Sequence, residues 1–366
     1  MNITTKVAGS VQKQRFMALD LLRIFAAYWV LFHHWTTTEG FMKLMKRGYE
    51  IPSFPHVIRV LLEPEFLGVD IFFILSGIVI SKSAVGRSWD DFARARFIRL
   101  FPAYFIATVI GIILASFTMS VHPPVPQLLM SLTGLQWFYG YPTIIGPAWT
   151  LFFEVRFYIL IAVFVATMRL VTTDSMRTFA IIWSISLILA PSLNIPAFNF
   201  LVISDYGVYF CFGIILGTTT NNSVKSNVPL IIFGFSIAWV RLQARYGAIE
   251  HHAFEAEIVS ALILLAITFV ALRPHELSFI RSEKSYRLVT NLALATYPLY
   301  LLHEPVGMPL IAELTRLGAP FSLSFLLVLV LITAFSLYCA TKLEKRFGRF
   351  ILRYIFGVSP DRTKTV

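Results

Sequence analysis

Apolar runs of about 17–25 residues, the length a helix needs to cross a bilayer core, recur along the whole of this chain. They leave too little sequence between them for a sizeable soluble domain. In hydrocarbon every backbone N–H and C=O must find its partner within the protein, so each run is a helix unless strands close into a barrel. Barrel strands are short and alternate apolar with polar residues, whereas these runs are long and continuous. Composition agrees. Of 366 residues, 57% are hydrophobic and 14% charged, and the mean hydropathy of +0.72 is well outside soluble usage. The expected fold is all-α, a polytopic transmembrane helical bundle of about ten spans.

The spans are expected at 17–36, 65–82, 98–118, 147–168, 177–194, 201–219, 228–245, 256–273, 290–312 and 321–341. Residues 1–16 then form an N-terminal segment, 17–341 one membrane domain and 342–366 a basic tail. The N-terminal sequence has no short apolar stretch followed by a small-residue cleavage site, so the first apolar segment is expected to remain as a span. An even count puts both termini on one side. The tail carries Lys342, Lys345, Arg346, Arg349, Arg353, Arg362 and Lys364, and the alternation of spans adds Lys82, Arg87, Arg94, Arg96, Arg99, Arg273, Arg281, Lys284 and Arg287 to that side. The opposite loop at 119–146 has no Lys or Arg. Positive-inside bias therefore makes both termini cytoplasmic. Topology accounts for the net charge of +11, so membrane lipid rather than nucleic acid is the expected partner. No repeat with a period of about 20–50 residues is visible.

Ionisable groups inside a span cost a few kcal/mol or more, so each asks for a partner or a task. The first span places Asp20 and Arg23 three apart on one helical face, with His33 and His34 near its far end. Asp20 and Arg23 can neutralise each other as a structural pair, or serve function; both readings stand. Asp20 lies roughly 21 Å along the helix from His34 at about 1.5 Å per residue, so any partner for His34 must come from another span. The fourth span opens PAWTLFFEVRFY, with Glu154 about two turns inside its outer end and in the expected layer of His34. Arg156, two residues on, points elsewhere. The ninth span adds Tyr297, Tyr300, His303 and Glu304, with His303 three residues after Tyr300 and able to make a structural hydrogen bond. The second carries Asp70, Ser76 and Gly77, the glycine suiting close helix packing. Arg94, Arg96 and Arg99 precede Pro102. Topological bias explains them, and so does phosphate binding by guanidinium forks.

These segments together resemble the acyltransferase 3 family of integral-membrane acyltransferases, from Arg15 to about Phe347. The family's first-span pattern is matched by Asp20, Arg23, Ala26, Ala27 and His34, with His33 as an adjacent extra. Its second segment is similar to Gly68, Val69, Asp70, Phe72, Phe73, Leu75, Ser76 and Gly77, with Ile78 where an aromatic is usual. The basic segment looks like Arg96, Arg99 and Pro102. Trp149, Thr150, Leu151, Glu154, Phe157 and Tyr158 resemble a further element, in which Val155 stands where a second acid is common. Tyr297, Leu299, Tyr300, Leu301, His303 and Pro305 form another, and Glu344, Lys345 and Phe347 the last, with Arg346 replacing proline. The resemblance implies about ten spans, an acyl-CoA donor in the cytoplasm, most commonly acetyl-CoA as cosubstrate with no bound cofactor, and transfer to a hydroxyl of a carbohydrate, envelope polymer or lipid-linked glycan. It also implies residence in a bacterial cytoplasmic membrane.

Acyl transfer from a thioester to an alcohol needs a base for the hydroxyl proton and a donor for charge on the carbonyl oxygen. His34 is the expected base, with Glu154 to orient it, His33 and Asp20 as further catalytic candidates, and Arg23, Arg94, Arg96 and Arg99 for the donor. Ser76, Trp149, Tyr297, Tyr300 and His303 are expected in support. Cys211 and Cys339 lie in apolar stretches without the spacing of a disulfide framework. His251, His252 and Glu255 form a polar loop, and no metal is expected. Asn221, Asn222 and Ser223 match a glycosylation pattern but fall on the cytoplasmic side, where they are expected to stay unmodified. The competing class is a transporter of a polar solute, since buried ionisable groups mark solute and proton paths equally well.

Overall fold

The computed structural model describes residues 3–36, 65–118, 123–220, 223–246, 253–272 and 282–357. His251 and His252, and Asn221 and Asn222 of the glycosylation pattern, lie outside these. Among the described residues every regular element is a helix: α1 (Ile3–Thr36), α2 (Glu65–Ala84), α3 (Trp89–Thr118), α4 (Val125–Thr133), α5 (Trp149–Thr167), α6 (Thr173–Leu193), α7 (Pro196–Val202), α8 (Gly207–Thr218), α9 (Val224–Tyr246), α10 (Ala253–Leu272), α11 (Glu283–Leu302), α12 (Met308–Arg316), α13 (Phe321–Tyr338) and α14 (Glu344–Tyr354). The all-helical, multispan expectation is met. Among the described residues, seven segments are long and apolar enough to cross a membrane: Leu67–Ala84, Trp89–Leu114, Gly146–Thr167, Thr173–Leu193, Pro196–Thr218, Val224–Arg245 and Phe321–Tyr354. Ile258–Leu272 is apolar but shorter. Outside that set stand α1, which carries Asp20, Arg23, His33 and His34, and α11, which opens on Glu283, Lys284 and Arg287.

Three expected spans depart from a plain helix. The sixth breaks after α7, where Ile203 adopts φ 57°, a costly value for a β-branched residue. The break survives because side chains take up carbonyls that it exposes. Trp183 Nε1 donates to Val202 O at 2.8 Å, Arg241 Nη2 to Ser204 O at 3.1 Å, and Arg156 to Phe200 O. The ninth runs through α11 into a π turn at His303–Gly307 before α12. The tenth passes through a second π turn, Cys339–Leu343, into α14. Such wide turns cluster at functional positions.

The chain divides into two compact units. The first comprises residues 1–26, 66–93 and 153–290. Its centre is α8, all of whose residues are buried. Gly77 of α2 and Gly213 and Gly217 of α8 let the two backbones touch: a Cβ on Gly77 would overlap Phe210 O, and one on Gly213 would overlap Ile74 O. Close packing is thus the role of Gly77, because dispersion between backbones is what drives helix association in lipid. Phe210 stacks on Phe157 at 4.2 Å between ring centroids. Asp70 and Arg245 pair across α2 and α9 at 2.9 Å.

The second unit comprises residues 27–65, 94–152 and 291–366. Here the last turns of α1 pack on α13, through Tyr28 Oη to Thr333 Oγ1 at 3.0 Å and rings of Phe32 and Trp35 on Phe325. A ladder of Phe97, Phe101 and Phe105 on α3 meets Phe347 of α14. Tyr104 Oη donates to Ser131 O at 2.6 Å and fastens α4. Both cysteines are buried and unbridged.

Candidate functional site

Two histidines 269 residues apart meet in the second unit. His34 sits in the last turn of α1, and His303 opens the π turn after α11. His303 Nε2 lies 2.9 Å from His34 Nδ1, and His303 Nδ1 lies 2.7 Å from Tyr300 O. The carbonyl can only accept, so Nδ1 of His303 carries that ring's proton. In the neutral ring Nε2 is then an acceptor, and the proton between the two rings belongs to His34 Nδ1. Neutral His34 therefore carries its lone pair on Nε2, the form a general base requires. The partner that His34 needs from another span is His303.

Neighbouring residues hold the pair in place. Trp35, fully buried and next to His34, donates Nε1–H to His303 O at 2.8 Å. That bond ties the end of α1 to the π turn. Gly307 makes room for it, since a Cβ there would overlap the Trp35 ring. His33 presents an edge to His34 at 5.7 Å and 86°. Tyr300, 93% buried in effect at 7% exposure, has its ring 5.7 Å from that of His303. Glu304 follows His303, and its carboxylate lies against Gly146, where a Cβ would overlap it. His303 itself is 1% exposed.

The other acidic and serine candidates belong to the first unit. Glu154 accepts from Tyr158 Oη, one turn on in α5, and from Ser76 Oγ of α2 at 3.5 Å. Arg156 turns instead to Phe200, with its guanidinium 3.9 Å above that ring. Asp20 and Arg23 pair with each other at 3.0 Å, as their spacing allows. Asp70 is 2% exposed and is bound by Arg245, a partner 175 residues away that no local pattern signals.

Of the three arginines before Pro102, Arg99 is the one whose surroundings are most defined. Nη1 donates to Glu344 Oε2 at 3.0 Å, and the guanidinium stands 5.6 Å from the centroid of the Tyr297 ring. Tyr297 Oη donates to Leu100 O at 3.1 Å, which fixes that ring. Arg94 and Arg96 lie half-buried on the same helix. Trp149 opens α5 at 38% exposure. Among the described residues no group of three or more His, Cys, Asp or Glu is arranged to hold a metal ion.

Sequence reasoning passed over Trp35, Gly307, Gly146 and Arg245. The glycines had a signal in principle, since Gly307 follows a proline-containing turn, but the contact each permits is set by residues far away in the chain. Arg245 had none, because it lies at the end of an apolar helix whose charged flank reads as an interfacial anchor.

Comparisons with known proteins identify the family of the chain. The model of the acyltransferase 3 family, described as an acyltransferase domain, matches residues 17–341. The chain is also 25% identical over 167 residues to the regulator of hypoxia-inducible factor 1 of Caenorhabditis elegans, across 40% of this chain and 33% of that protein. It thus spans about a third of the length of the curated relative it matches. No solved structure matches the chain.

Proposed function

This chain belongs to the acyltransferase 3 family of integral-membrane acyltransferases, and from that premise we propose that it moves an acyl group, acetyl by preference, from cytoplasmic acyl-CoA to a hydroxyl of a carbohydrate or lipid-linked envelope glycan. The observation that carries the reading is the hydrogen bond between His34 Nδ1 and His303 Nε2. It sets the tautomer that leaves Nε2 of His34 able to accept a proton. The acceptor oxygen attacks the thioester carbonyl while His34 takes the hydroxyl proton. The tetrahedral adduct then expels the thiolate, and the imidazolium of His34 returns the proton to sulfur. His303 is a positioning residue, whose acceptor nitrogen strengthens its hold on His34 when that ring becomes charged.

Arg99, with Arg94 and Arg96, takes the phosphates of the donor on the cytoplasmic side. Glu154, braced by Tyr158 and Ser76, is the carboxylate that this reading keeps as a catalytic candidate. The bacterial cytoplasmic membrane, with both termini inside, is the setting we assign, from the distribution of Lys and Arg in the loops.

The test uses the purified protein in lipid with radiolabelled acetyl-CoA and a mixed envelope-glycan extract. Wild type should transfer label. His34→Ala should lose about 10²–10⁴-fold, and normal turnover in that variant would remove His34 from the mechanism. His303→Leu should lose roughly tenfold or more, with partial return in His303→Gln, whose amide oxygen can still accept from His34. Donor binding without chemistry in any extract would point to a missing acceptor, and no donor binding to a solute transporter.

A further inference from the structure

Arg99 is held by a carboxylate that is itself only half satisfied. Glu344 accepts one hydrogen bond, from Arg99 Nη1 to Oε2 at 3.0 Å. Its other oxygen, Oε1, is buried with no hydrogen-bond donor among the described residues. Glu344 is 9% exposed, while the Arg99 side chain is 34% exposed and so remains reachable. A buried carboxylate oxygen without a donor carries an uncompensated desolvation cost. The pair is therefore closed on the glutamate's side and open on the arginine's.

We propose that Glu344 is a placeholder for a donor phosphate: the phosphate displaces its carboxylate from Arg99, so that the site accepts phosphate-bearing thioesters and rejects phosphate-free ones. This rests on the reading of Arg99 as a donor-binding residue. A phosphate presents several acceptor oxygens to the guanidinium fork and can engage it in two parallel bonds, where Glu344 makes one. Exchange of one anion for another also keeps the half-buried cation compensated throughout, which a site with no resident carboxylate would not do. Tyr297 holds the guanidinium plane from one side, and its own hydroxyl is pinned to Leu100 O. Glu344 sits where the π turn Cys339–Leu343 passes into α14, a junction of wide hydrogen bonding. A thioester lacking phosphate offers Arg99 nothing to replace Glu344 with, so the pair acts as the selectivity filter of the donor site.

Equilibrium binding to the full chain in nanodiscs, with coenzyme A and phosphate-free pantetheine as probes, tests the exchange. Glu344→Gln, which keeps the shape and removes the competing charge, should bind coenzyme A roughly tenfold more tightly with pantetheine unchanged. The gain should vanish when Arg99→Ala is added. Coenzyme A affinity that is unchanged or weaker in Glu344→Gln would overturn the proposal, and so would an equal gain for pantetheine. If Arg99→Ala binds coenzyme A as wild type does, the donor reading itself fails, a distinct result. Should Glu344→Gln not yield monodisperse protein, Glu344→Met replaces it under the same expectations.

Discussion

Among the described residues two carboxylate–arginine pairs tie distant parts of the chain together, one in each unit, and they are built differently. In the first unit Arg245 Nη1 reaches both oxygens of Asp70, at 2.9 and 3.1 Å, while Nη2 donates to Tyr206 Oη at 2.9 Å. The guanidinium also lies 4.6 Å from the centroid of the Tyr206 ring. In the second unit Arg99 gives Glu344 a single bond and leaves Oε1 without one. Buried ion pairs repay their desolvation only when geometry and further hydrogen bonds satisfy the remaining positions. Asp70–Arg245 meets that condition and works as a lock. Arg99–Glu344 does not, and an incomplete pair is one that another anion can open.

This contrast can be broken at either end. Asp70→Ala leaves the part-buried guanidinium of Arg245 without its carboxylate and should cost about 3 kcal/mol, read as lost stability in detergent unfolding. A loss near zero would place both pairs in one class. Arg245→Lys keeps the charge but loses the fork, so about 1–2 kcal/mol should go, enough to show that geometry and not charge alone closes the lock. Glu344→Gln is the smallest change. Stability should stay within about 1 kcal/mol of wild type, because the oxygen without a donor gives up its penalty as the ion pair gives up its attraction. A loss as large as that of Asp70→Ala would show that Glu344 is structural and not exchangeable.

The helices were legible from the sequence because bilayer length and backbone satisfaction leave few choices for a long apolar run. Their interruptions were not. Leu201 to Thr219 reads as one apolar stretch, and nothing local reveals that Trp183 and Arg241 are placed to donate to the carbonyls of a break at Ile203. The two π turns are equally silent, since an added residue hardly alters hydropathy. At the candidate site, the need of His34 for a partner on another span followed from helix rise alone. Which partner did not follow: the sequence pointed to Glu154, and the structure engages His34 Nδ1 with His303 while Glu154 is braced by Ser76 and Tyr158. Asp20 with Arg23 was readable at three-residue spacing, whereas Asp70 with Arg245 depends on how α2 and α9 fold against each other.

The π turn at His303–Gly307 makes the site sensitive to chain length as well as to residue identity. A π turn holds an extra residue within the helix. Were the segment to close as an ordinary α-helix with all its residues retained, everything from Met308 onward would be rotated by about 100° relative to α11. Gly307 would no longer stand beneath the Trp35 ring, and the tie between α1 and the carbonyl of His303 would lose its seat. The histidine pair thus depends on a count: both rings could be present, chemically intact, and one residue out of step.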